Sequence, residues 1–143
     1  MKIGEAINLI DTLKPNVYTP EDKIRWLSMI DGQIYKTVVL THEDGEYKRL
    51  RETVTNPVTG ENEEMIVRGI KPYEESMDLE TELLVKYPYD HVYVSWLESR
   101  IDYANGEYAK FNNSNAAYNA ELEDFLRWYN RNHMPIGTKF RYF

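Results

Sequence analysis

The chain has 143 residues, 42% hydrophobic and 29% charged, enough for one domain with its own core and too few for two ordinary ones. It carries no cysteine, which excludes disulfides, thiol nucleophiles and thiolate metal sites together. Its 24 acidic residues exceed the 17 basic ones, a net charge of −7, and this argues against tight phosphate binding, which clustered Lys and Arg drive.

Ile3, Ala6, Ile7, Ile10 and Leu13 recur at helical spacing, and Pro15 forbids continuation, so a first helix is predicted over residues 2 to 13. Its polar face is Glu5, Asn8 and Asp11, which leaves no room for the apolar block of a secretory signal, and the cytoplasm is the expected compartment. No apolar run approaches the roughly 20 residues of a membrane-spanning helix, so no membrane partner is expected. Thr19 suits an N-cap, Pro20 the first helical position and Asp22 the third, the pattern of a capping box. The second helix carries Ile24, Leu27, Ile30 or Asp31, Ile34 and Val38 inward with Trp26 beside them, and ends near Thr41 and His42.

Helical periodicity is absent from residues 43 to 76, where Asn56, Pro57 and Gly60 form a turn cluster between Tyr47–Val54 and Met65–Ile70. This predicts an exposed non-helical arm, either a long β-hairpin or an irregular loop. Leu79 to Val85 is a short apolar run, and Pro88 is placed to open a third helix. That helix is carried by Val94, Leu97, Ile101, Ala104 and Tyr108, widened by Tyr93, Trp96 and Tyr103, and runs to Phe111. Asn112, Asn113, Ser114 and Asn115 offer capping side chains for a fourth helix, with Tyr118, Leu122, Phe125 and Tyr129 inward and an end near His133. The last two helices form an antiparallel hairpin, with Leu97, Ile101, Leu122 and Phe125 buried between them. Residues 134 to 143 form a tail. The expected fold is therefore one mainly helical domain over residues 1 to 143: four helices, a C-terminal helical hairpin, and an arm between the second and third helices.

Chemistry-bearing patterns are sparse. His42, His91 and His133 are scattered without metal-ligand spacing and are expected at the surface or at helix ends, so no metal is expected. The carboxylates Glu61, Glu63 and Glu64, and Glu74, Glu75, Asp78, Glu80 and Glu82, lie in predicted loop without a cleft to shift a pKa, so no catalytic residue is expected. The glycines are isolated, so no phosphate loop and no cofactor is expected. Asn112-Asn113-Ser114 fits a glycosylation acceptor but reads as helix capping. Lys48, Arg49 and Arg51 beside Tyr47 form a short basic patch among Glu43, Asp44, Glu46 and Glu52, a mixed-charge arm rather than a sequence-specific nucleic-acid site. The 12 tyrosines and 3 tryptophans serve either interfaces or an aromatic core.

Taken together, the short first helix, the Pro-opened second helix, the arm, and Glu82-Leu83-Leu84-Val85 leading through Pro88 to a helical hairpin resemble head-to-tail connector proteins of tailed bacteriophages and prophages. Leu83 to Asp90, Trp96-Leu97, Ile101-Asp102-Tyr103 and Gly106-Glu107-Tyr108 carry most of the likeness, which covers residues 1 to 42 and 79 to 133. The resemblance implies a non-enzymatic virion protein at the head-tail interface, present in the host cytoplasm during assembly. It implies a ring of identical copies bound to the portal protein and to a tail-side connector or tail-completion protein, with DNA passing through. A phage regulatory or host-interacting helical protein is the alternative. Tyr47, Arg49 and Met65 of the arm and Phe140, Tyr142 and Phe143 of the tail are the candidate assembly contacts. The tail's aromatic residues suit an extended strand added to a neighbouring edge, the alternative being a tail that folds back on its own subunit.

Overall fold

The computed structural model describes residues 1–42, 49–68, 72–74 and 79–133, with the backbone alone for 49–54 and 63–68. It is mainly helical. In chain order come α1 (Ile3–Leu13), α2 (Pro20–Thr37), a 3-10 turn (Val39–Thr41), β1 (Arg49–Thr55), β2 (Asn62–Arg68), α3 (Val92–Ala104) and α4 (Tyr108–Asn132).

The start of α1 has no side-chain cap, so its free N–H groups need other acceptors. The segment after the arm supplies them: Ile3 N–H donates to the Thr81 carbonyl at 3.0 Å and Gly4 N–H to that of Leu79 at 2.8 Å. A Cβ at position 4 would lie 3.1 Å from both the Cβ and the carbonyl oxygen of Leu79, so glycine permits this approach. At the head of α2 the capping box forms in full, with Asp22 N–H donating to Thr19 Oγ1 and Thr19 N–H to the Asp22 carboxylate. Ile24, Leu27, Ile30, Asp31, Ile34 and Val38 are all buried, and Trp26 flanks them half-buried.

In the arm, β1 and β2 pair antiparallel from Arg49 opposite Arg68 to Thr55 opposite Asn62. Their connection is closed by Asn56 N–H to the Glu61 carbonyl at 2.8 Å, by Asn56 Oδ1 accepting from Val58 N–H at 2.9 Å, and by Gly60 at φ +72°. The strands pack on each other, and neither packs extensively on a helix.

Three helix boundaries differ from the sequence expectation, the first being the end of α2, which stops at Thr37 and gives way to the 3-10 turn that carries the chain on to Thr41. Pro88 does not open α3; it lies in a turn in which Tyr89 N–H donates to the Lys86 carbonyl, and the helix starts four residues later at Val92. The break between α3 and α4 lies at Asn105–Glu107, not at Asn112–Asn115. There Gly106 at φ +74° donates its N–H to the Tyr103 carbonyl, and Glu107 N–H reaches that of Asp102. This pair of bonds is a Schellman ending, which uses a residue in the left-handed region to satisfy the last carbonyls of a helix. Tyr108 therefore begins α4, and Asn112–Asn115 lie inside it.

The antiparallel α3–α4 hairpin is the centre of the molecule, with α1 and α2 packed on α3. Leu97, Ile101 and Phe125 are fully buried as expected. Leu122 is only half-buried, because Ser114, Tyr118, Phe125 and Tyr129 carry the inward stripe of α4 and Leu122 flanks it. Buried polar groups tie the elements together. Asp31, fully buried on α2, accepts from Tyr93 Oη at 2.5 Å, from Leu84 N–H at 3.0 Å and from Tyr73 Oη. Lys14 reaches Asp102, which also accepts from Ser114 Oγ at 2.9 Å, joining α1, α3 and α4.

Candidate interaction surface

Of the residues singled out in the arm, Arg49 lies at the start of β1 and Met65 on β2, opposite Glu52. Tyr47, Phe140, Tyr142 and Phe143 lie outside the described residues, as do Lys48, Glu75 and Asp78. The arm is anchored at both roots. On one side His42 Nδ1 donates to the Val38 carbonyl at 2.7 Å, and Nε2 lies 2.6 Å from Asn130 Oδ1 on α4. His42 thus closes the 3-10 turn at a helix end, as expected, and these two hydrogen bonds and its edge contact with Tyr129 keep it buried there. On the other side Tyr73 donates its N–H to Ser28 Oγ at 2.9 Å and its hydroxyl to Asp31.

The other histidines sit at helix ends. His91 precedes α3 and meets Glu121 at 3.0 Å, and Ser95 Oγ donates to the second oxygen of the same carboxylate at 2.9 Å. His133 caps α4 and stacks on Tyr129 with ring centres 4.0 Å apart. Two shallow hollows flank His91: one of about 390 Å³ among Pro88, Tyr89, Glu121 and Asp124, and one of about 420 Å³ against Leu9, Thr12, Leu13 and Val94. Among the described side chains the acidic residues do not converge: Glu61 is exposed on the hairpin turn, Glu74 is exposed beside Tyr73, and Glu80 pairs with Lys2 at 2.6 Å. Among the described residues no group of three or more His, Asp or Glu side chains is placed to hold a metal, and no helix is long and apolar enough to cross a membrane.

The aromatic residues divide between core and surface. Tyr35, Tyr73, Tyr93, Trp96, Tyr118 and Tyr129 are buried, whereas Tyr87, Tyr103 and Tyr108 are exposed. The exposed ones at the α3–α4 turn belong to a continuous patch. Trp96, Arg100 and Tyr103 follow at three-and-four spacing on one face of α3, and the first turns of α4 add Tyr108 and Phe111. The Arg100 guanidinium lies 4.5 Å from the Trp96 ring centre and 5.6 and 5.5 Å from those of Tyr103 and Phe111. Tyr103 meets Phe111 and Tyr108 edge-on at 5.3 and 6.0 Å. Beneath it, burial pushes the Tyr118 phenol up to about 12, against the pull of the Arg100 charge. Arg100 was not singled out in the sequence; the signal that marks it is an arginine one turn from a tryptophan and three residues before a tyrosine.

No family model, curated protein or solved structure matches the chain.

Proposed function

We propose that this chain is a structural subunit of a tailed phage, one of a ring of identical copies that joins the portal to the tail and continues the DNA channel. The observation that carries the reading is the division between a helical body and a hairpin arm that leaves it. The body closes on itself through α3, while β1 and β2 form a two-stranded sheet whose outer edges pair with no other strand among the described residues. Such an edge presents alternate backbone N–H and C=O groups to an added strand, the usual way a short sheet recruits a neighbour.

The roots at His42 and Tyr73 hold both ends of the arm to helices, so force on the hairpin passes to the body. The acidic balance also suits a conduit, because negative walls do not grip a phosphate backbone. Neighbouring copies, the portal protein and a tail-side connector or tail-completion protein are the partners of this reading, and no catalytic step belongs to it. Replacing residues 50–67 with a short Gly-Ser linker tests it. Body folding, followed by thermal melting, is expected to survive and capture on portal rings to be lost. Capture equal to that of the parent chain would remove the arm from the account.

A further inference from the structure

At the α3–α4 turn the molecule holds a cation that it does not neutralise. We infer that the Arg100 patch is the surface on which a second copy of this chain docks a carboxylate side chain; this rests on the assembly reading and names one of its contacts.

The cation is held in place before any partner arrives. Trp96, only 6% exposed, supplies a fixed face under the guanidinium, and Tyr103 and Phe111 enclose it further. Arg100 Nε is buried without an acceptor, and among the described residues no carboxylate or carbonyl oxygen bonds to any of its nitrogens. Of the carboxylates that flank it along the chain, Glu98 makes no hydrogen bond or ion pair with it, Asp102 is taken by Lys14 and Ser114, and Glu107 by Lys110 at 3.3 Å. A planar guanidinium fixed on rings, with its terminal nitrogens open, matches a carboxylate through two parallel hydrogen bonds. Tyr103 and Tyr108, 54% and 62% exposed, flank that position, and tyrosine and arginine are the residue types that dominate interface centres.

Charge identifies the occupant. The chain has a surplus of carboxylates, 24 acidic against 17 basic residues, and the same surplus opposes a nucleic-acid ligand. A cationic patch is not complementary to itself, so the contact it makes with another copy joins two different surfaces. Contacts of that heterologous kind generate closed rings where the rotation allows.

Sedimentation equilibrium of the full chain over rising concentration tests this with the parent, Arg100→Gln, Arg100→Lys and Tyr108→Ala. The parent is expected to self-associate. Arg100→Gln is expected to weaken association about tenfold or more, and Arg100→Lys to weaken it too, because an ammonium lacks the planar fork. Tyr108→Ala removes an exposed ring, so it melts like the parent and keeps the test valid if Arg100→Gln loses stability. If the parent associates and both Arg100→Gln and Tyr108→Ala associate as tightly, the inference falls while the assembly reading stands. A parent that stays monomeric at every concentration overturns the second copy as occupant, and the portal capture experiment then judges the assembly reading alone. Binding of a single-stranded oligonucleotide by the parent, lost in Arg100→Gln, would make the patch a nucleic-acid site and also overturn it.

Discussion

Asp31 is a carboxylate with no exposed surface, and its environment decides what nearby substitutions do. The Tyr93 hydroxyl donates to it at 2.5 Å and accepts from Val85 N–H at 2.6 Å. Tyr93→Phe deprives both buried groups of a partner, and urea denaturation is expected to show a loss of about 1–3 kcal/mol. Burial, then the Asp31 charge and hydrogen bond, hold the Tyr73 and Tyr93 phenols well above the ordinary tyrosine value of 10.0. The folded chain keeps protons that the unfolded chain releases near that pH. The stability from this node is therefore complete below about pH 10 and is lost as pH rises toward the elevated folded values. Asp11 works in the opposite direction. Burial alone raises its carboxyl, but hydrogen bonds from Lys23 and Asn16, with the Lys23 charge, hold it below the ordinary 3.8. Its contribution is present above that pH and is lost as pH falls through the depressed folded value. Melting temperatures of Asp11→Asn and the parent are expected to differ at neutral pH and converge in acid; a constant gap would refute the pairing. Asp31 was visible in the sequence as a polar residue in an apolar stripe. Its phenol partners are 42 and 62 residues away, a distance that no local pattern reports.

At the scale of elements, the helical periods of α1 and α2 were legible because their ends carry their own signals, Pro15 in one case and the Thr19 capping box in the other. The α3–α4 boundary was not, because the apolar repeat from Val94 through Ile101 to Tyr108 continues in phase across the break. Asn105-Gly106 was the overriding signal. Ser114, counted as a cap, instead lies within the helix, with Asp102 at 2.9 Å and the carbonyls of Lys110 and Phe111 in reach of its one hydroxyl proton. Two glycines give opposite predictions. Gly106→Ala forces a Cβ into the left-handed region and is expected to cost about 1–2 kcal/mol. Gly32 lies inside α2 with open space where a Cβ would go, so Gly32→Ala is expected to stabilise by about 0.5–1 kcal/mol. Thermal melts of the two variants should move in opposite directions.

For the whole molecule, the core between α3 and α4 sets the stability. Ile101→Ala is expected to cost about 2–5 kcal/mol and Phe125→Ala about 3–5, whereas the half-buried Leu122 should cost only about 1–2 when replaced by Ala. Equal losses at Ile101 and Leu122 would contradict the rim position of Leu122. The mainly helical fold and the non-helical arm could be read from periodicity, since both are properties of single segments. The anchoring of the arm at His42 and the Arg100 patch could not, because each is made by residues from separate elements. The proposed role of this chain is assembly on a portal. Electron microscopy of the chain co-expressed with the portal protein of the same genome tests it most directly. The account predicts a closed ring of copies coaxial with the portal; portal rings that remain bare beside free, folded chain would contradict it.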